Sequence, residues 1–184
     1  MKLKTEQEQN EQVRMLADAR DILNKYKIPA ILTNSALLGA YRDGDLLTHC
    51  FGAVITTFRN LILPYEKEII NDIENKGYTI QKHFKNENYK IRFVKGRLNI
   101  EICAYSENDE YYYRKLHNKK KVIYKNFLTS PFGEIKIRGE KFITPQDIDG
   151  FLNFLYKDYS VNVKKSVTPT RYKTAKHVIL DKSK

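Results

Sequence analysis

The chain has 184 residues, 41% hydrophobic and 12% aromatic, which excludes a disordered chain and suits one packed domain. Its 33 Lys and Arg against 22 Asp and Glu give a formal net charge of +11; phosphorylated partners fit that field, as does a basic surface that serves only solubility. Two distant cysteines, Cys50 and Cys103, argue against a disulfide framework or zinc ribbon, and no run of 18 apolar residues exists to cross a membrane. With a polar N-terminus, these features predict a soluble protein of the cytoplasm or another reducing intracellular compartment.

In chain order, Val13, Leu16, Ala19, Leu23 and Tyr26 recur at helical spacing between Glu6 and Tyr26, and Lys27-Ile28-Pro29 ends that helix. Residues 30–33 read as a short buried strand. Asn34 and Ser35 are good caps for a short helix through Tyr41, whose positive end could hold a phosphate. Asp43-Gly44-Asp45 is a turn signal, and residues 46–57 contain the β-branched run Val54-Ile55-Thr56-Thr57 of a central strand. A second helix is predicted over 65–76, with Pro64 near its first turn and Gly77 as its stop.

Strands follow at 78–83, 89–94 and 98–105, with Lys95-Gly96-Arg97 as a tight hairpin. On the last of these, a period of two puts Leu98, Ile100, Ile102 and Ala104 on one face and Asn99, Glu101, Cys103 and Tyr105 on the other. Residues 109–124 interleave Tyr with Lys and Arg, which suits either a solvated sheet edge or a base-stacking surface. A hairpin turning at Arg138-Gly139 and a helix starting at Thr144-Pro145 complete residues 1–165, read as one domain; residues 166–184 are a basic C-terminal tail. The fold class is α+β, one mixed sheet packed against helices. His83, His117 and His177 show no partner in the sequence.

The segment Ile31-Leu32-Thr33-Asn34-Ser35-Ala36-Leu37-Leu38-Gly39-Ala40-Tyr41-Arg42-Asp43-Gly44-Asp45 and on to His49 resembles the opening motif of the LicD/fukutin family of the nucleotidyltransferase fold. The resemblance extends more weakly over residues 10–165. It implies a nucleotidyltransferase-like mixed or antiparallel sheet. It also implies transfer of a phospho-alcohol from a CDP carrier to a glycan with Mg²⁺ or Mn²⁺. In that family two acids one residue apart on a strand, and a third from a neighbouring strand, hold the metal.

Here Gly52 and Val54 stand at the paired acid positions, Glu101 is the retained third acid, and the family's Gly-Ser/Thr pair has become Asn34-Ser35. The favoured reading is therefore a catalytically impaired relative that serves as a binding or partner subunit. Asn34, Ser35, Arg42, Asp43, Asp45 and His49 are its candidate contacts to a phosphorylated small molecule or CDP-alcohol. No cofactor is implied by this reading, and Mg²⁺ or Mn²⁺ enters only if Asp43, Asp45, His49 or Glu101 hold it in an altered way in an active enzyme. Arg42 either binds phosphate or pairs with Asp43 or Asp45 to fix the turn. Two further alternatives are a nucleic-acid-binding module using the Tyr/Lys segment and the tail, and a zinc site of His49, Cys50, Glu101 and Cys103.

Overall fold

The structure, a computed structural model, describes residues 3–116, 119–156 and 159. The first helix, α1 (Glu6–Lys25), opens with a reciprocal cap: the Thr5 hydroxyl accepts from the Glu8 N–H while the Glu8 carboxylate accepts from the Thr5 N–H. Its stripe of Val13, Leu16, Ala19 and Leu23 is buried, and the chain leaves the helix through Lys27 at φ +58° just before Ile28-Pro29.

Then come β1 (Ile31–Thr33), α2 (Asn34–Asp43), β2 (Gly52–Phe58), the single turn α3 (Arg59–Ile62), a 3-10 turn at Leu63–Tyr65, and α4 (Glu66–Asn75). The strands β3 (Thr79–Phe84), β4 (Lys90–Lys95), β5 (Leu98–Glu107), β6 (Tyr111–Leu116), β7 (Lys119–Tyr124), β8 (Gly133–Ile137) and β9 (Glu140–Thr144) follow, and α5 (Ile148–Leu155) comes last.

The main path of the sheet runs β3-β4-β5-β2-β1-β9-β8, with the β6–β7 hairpin attached to the end of β5. Pairing is mixed: β2 runs parallel to β5 and β1 to β9, while β1–β2, β3–β4, β4–β5 and β8–β9 are antiparallel. The architecture is thus α+β, a mixed sheet packed against helices. Helix α1 lies on β5, β2 and β9 and α4 on β3, so the inward rows Ile91, Phe93, Leu98, Ile100, Ile102 and Ala104 are at most 3% exposed. Opposite them, Gly52, Val54, Lys90, Arg92, Asn99 and Glu101 share a half-open face.

Several boundaries differ from the sequence expectation, and the N-cap of α2 is Thr33, without a side-chain cap bond, so that Asn34 and Ser35 lie inside the helix. Residues 46–51 are a loop rather than strand, because the backbone first returns over α2. Pro64 falls in the 3-10 turn, so α4 starts at Glu66. Thr144 closes β9, and α5 starts at Ile148 because Asp147 caps it, accepting from the Gly150 N–H at 2.8 Å. His83 also has a partner, the Glu66 carboxylate 2.9 Å from its Nε2. His117, His177 and the tail of residues 166–184 lie outside the described residues.

Candidate functional site

The singled-out residues separate into two groups at opposite ends of α2. At its N-terminus, Asn34 sits at φ +55°. Glycine adopts that left-handed backbone freely, and asparagine is among the few side chains that tolerate it, so Asn34 preserves a turn that the resemblance assigns to glycine. Ser35 Oγ reaches toward the Gly52 carbonyl at 3.5 Å, which brings the helix start against the first residue of β2.

Beside it, the parallel register of β2 and β5 sets Gly52 against Asn99 and Val54 against Glu101. Asn34, Ser35, Gly52, Val54 and Glu101 therefore gather in one region. The Asn99 side chain fills the space over Gly52: a Cβ built there would lie 2.8 Å from its Oδ1, and its Nδ2 donates to the Phe51 carbonyl at 3.3 Å.

Strand β4 supplies residues that the sequence reading passed over. Arg92 pairs in register with Glu101 and Lys90 with Cys103, so both cations project on the face of Glu101. Lys90 Nζ lies 2.9 Å from the Glu101 carboxylate, and Arg92 Nε lies 3.9 Å away, buried and without a hydrogen-bond partner. The signal was available: counting back from the turn at Gly96-Arg97, with Lys95 opposite Leu98, places Arg92 opposite Glu101.

The second group lies about 12 Å along α2 from Ser35, eight residues at ~1.5 Å each. There Arg42 donates through Nε and Nη2 to both Asp43 oxygens at 2.9 and 2.8 Å, and through Nη1 to the Tyr159 carbonyl at 3.4 Å. Asp45 receives Arg138 from the β8–β9 turn at 2.6 to 3.0 Å; Arg138 also holds Glu6 and Asn10 of α1. His49 lies near Arg42 and Lys4; burial and those two cations push its imidazole below the ordinary value, against a smaller pull from Asp43. Arg42, Asp43, Asp45 and His49 are therefore not brought to Ser35 and Glu101, and Asp45 clamps α1, the motif loop and the β8–β9 hairpin together.

Burial alone would raise the Asp45 pKa, but Arg138 and the Leu46 N–H outweigh it and hold the carboxyl below its usual value. A depressed folded pKa stabilises above the unfolded value of about 3.9 and is lost as pH falls through the folded pKa. Asp45→Asn should therefore cost about 1–2 kcal/mol near pH 7, and the gap to the parent should close at an acid pH below the folded pKa, which lies under the unfolded value. Urea unfolding at both pH values measures it; an equal gap at both would remove the ion pair as the cause.

The residues do not fit a catalytic Mg²⁺ or Mn²⁺. Gly52 and Val54 offer no carboxylate, and Glu101 faces Lys90 and Arg92. Among the described residues no three His, Cys, Asp or Glu side chains group so as to hold a metal, which corrects the zinc alternative of His49, Cys50, Glu101 and Cys103 and the altered metal set of Asp43, Asp45, His49 and Glu101.

Farther along the same face, a cavity of about 140 Å³ opens between Phe58, Asn60, Leu61, Tyr105, Glu107 and Tyr112. The Tyr112 ring packs on Phe58 at 4.8 Å, so this member of the Tyr-rich hairpin is engaged in packing rather than splayed for bases. Among the described residues no helix is long and apolar enough to cross a membrane.

No protein-family model matches the sequence, and no curated protein matches it. Solved structures similar to it include the solution structure of the antibiotic-resistance factor ANT(2'')-Ia, at 13% identity and TM-score 0.44, covering 60% of this chain and 55% of that one. The chain thus spans about half of that protein. Lincomycin-bound lincosamide antibiotic adenylyltransferase LnuA is similar at 15% identity and TM-score 0.48, covering 83% and 87%. The complex of ANT(2")-Ia with adenylyl-2"-tobramycin is similar at 13% identity and TM-score 0.49, covering 73% and 69%. Likenesses at this level assign neither a family nor an activity.

Proposed function

We propose that the protein is a degenerate LicD/fukutin-like domain of nucleotidyltransferase type that binds a phosphorylated or CDP-linked ligand as a binding or partner subunit and no longer carries out metal-dependent transfer. The observation that carries this reading is Glu101: the third acid stands next to Val54, as the motif requires, but its carboxylate faces Lys90 and Arg92. A divalent ion there would have one carboxylate and two repelling cations. The left-handed Asn34 and the start of α2 keep the backbone of a phosphate-facing turn, and the net charge of +11 favours an anionic ligand.

The test is ligand binding with and without metal. Thermal unfolding with CDP in EDTA should show stabilisation that added Mn²⁺ does not increase, and labelled CDP-alcohols should give no transfer above background. Stabilisation that requires Mn²⁺, or turnover that EDTA abolishes, would sink the reading.

A further inference from the structure

We infer that Lys90 and Arg92 replace the divalent ion: the face around Glu101 binds a phosphate or diphosphate group directly on these two side chains, with Glu101 as the internal anion that the ligand displaces. This rests on the reading above and names the place and chemistry of its ligand contact.

The charge inventory on this face is unbalanced. Along β4 it carries Arg92 and Lys90, and where β6 joins the end of β5 stands Arg114, whose guanidinium lies over the Tyr105 ring at 5.5 Å. At Glu101 two cations meet one carboxylate, and Glu107, farther along β5, is paired with Lys125 at 3.6 Å. Arg114 is buried, donates through Nη2 to Asn88 at 2.7 Å and has a buried Nε without a hydrogen-bond partner. It adds positive field from within rather than a contact.

Lys90 and Arg92 are the reachable pair, with side chains 19% and 28% exposed. The Arg92 Nε–H has no acceptor, since the nearer Glu101 oxygen at 3.9 Å is beyond hydrogen-bond range. A buried donor without an acceptor is unfavourable, which favours turning the part-exposed Arg92 guanidinium outward onto a phosphate oxygen while Lys90 supplies a second charge-assisted bond. A Mg²⁺ ion bridging a diphosphate neutralises two negative charges; Lys90 and Arg92 offer the same charge without a carboxylate cage. Gly52 and Val54 add no competing acid on the neighbouring strand.

Glu101 makes the decisive test because its sign reverses between mechanisms. If it were a metal ligand, removing its charge would weaken binding; as a competing anion, its removal strengthens binding. Isothermal titration with inorganic pyrophosphate in EDTA should give binding that weakens at least about tenfold in Lys90→Gln/Arg92→Gln and strengthens about tenfold in Glu101→Gln. Lys90→Gln alone, with a circular dichroism spectrum like the parent's, serves as the variant least liable to disturb folding.

Pyrophosphate binding in EDTA that ignores all three substitutions overturns the site while leaving metal-free binding intact. Binding that needs Mn²⁺ and is lost in Glu101→Gln overturns both. No binding in either condition overturns the site, and the transfer assay then decides separately whether catalysis is absent.

Discussion

Gly39→Ala should destabilise the protein by about 2–3 kcal/mol, as overpacking against a fixed backbone does. Gly39 lies inside α2, where alanine would ordinarily be the better helix former by about 1 kcal/mol. Here a Cβ would stand 2.6 Å from the Asp45 carbonyl oxygen and 2.9 Å from the Leu47 N, both backbone atoms, and 3.1 Å from Leu47 Cγ. The loop cannot step aside, because the Leu46 carbonyl accepts from Gln9 at 3.1 Å, the Thr48 carbonyl from the Lys4 N–H at 2.8 Å, and Asp45 is held by Arg138. Gly44→Ala is the control: it has left-handed φ +74° with nothing within 4 Å of a Cβ, so it should cost only about 1–2 kcal/mol of backbone strain. Urea denaturation compares them. A Gly39→Ala protein within about 0.5 kcal/mol of the parent would mean that the loop is soft.

The same contact explains why the motif reads well in sequence but its chemistry does not. Leu37, Leu38, Gly39 and Ala40 are buried because α2 must receive a returning loop, so this part of the motif encodes packing. Period and punctuation sufficed for α1, for the inward face of β5 and for both tight hairpins. They failed at α5, because the side chain of Asp147 rather than the preceding proline sets its start.

In the site, the resemblance leads the sequence reading to link Glu101 with residues 52 and 54, and β2 and β5 do lie side by side with Val54 opposite Glu101. Two things escape that reading. Asp45 reads as a cleft residue because it follows Ser35 in sequence, but the ten-residue α2 carries it to its far end, where it meets Arg138; for Arg42, of its two readings, the structure shows the pairing with Asp43. Lys90 and Arg92 carry no mark within their own strand, since their relation to Glu101 exists only once the hairpin register is counted back from Gly96-Arg97, a step the sequence reading does not take. Three-dimensional charge pairing between strands is what a one-dimensional pattern hides.

Restoring the paired acids should therefore fail unless the surroundings change too. Gly52→Asp with Val54→Asp alone should give no measurable Mn²⁺ binding by isothermal titration. The first substitution meets Asn99 Oδ1 at 2.8 Å, so its carboxylate must displace an amide that is bonded to the Phe51 carbonyl. The metal must also approach Lys90 and Arg92, and a unit positive charge about 5 Å from a divalent ion opposes it by on the order of 7 kcal/mol at an effective dielectric near 20. Adding Asn99→Ser, Lys90→Ser and Arg92→Ser clears the space over Gly52 and frees Glu101. The five-fold variant should then bind Mn²⁺ at least about tenfold more tightly than the double variant, a difference of about 1.4 kcal/mol. Tight Mn²⁺ binding by the double variant would show that neither Asn99 nor the β4 cations obstruct the site. Weak binding by both would show that β2 and β5 do not set residues 52, 54 and 101 at chelating distance, and the alignment that equates Gly52 and Val54 with the family's acids would fall with it.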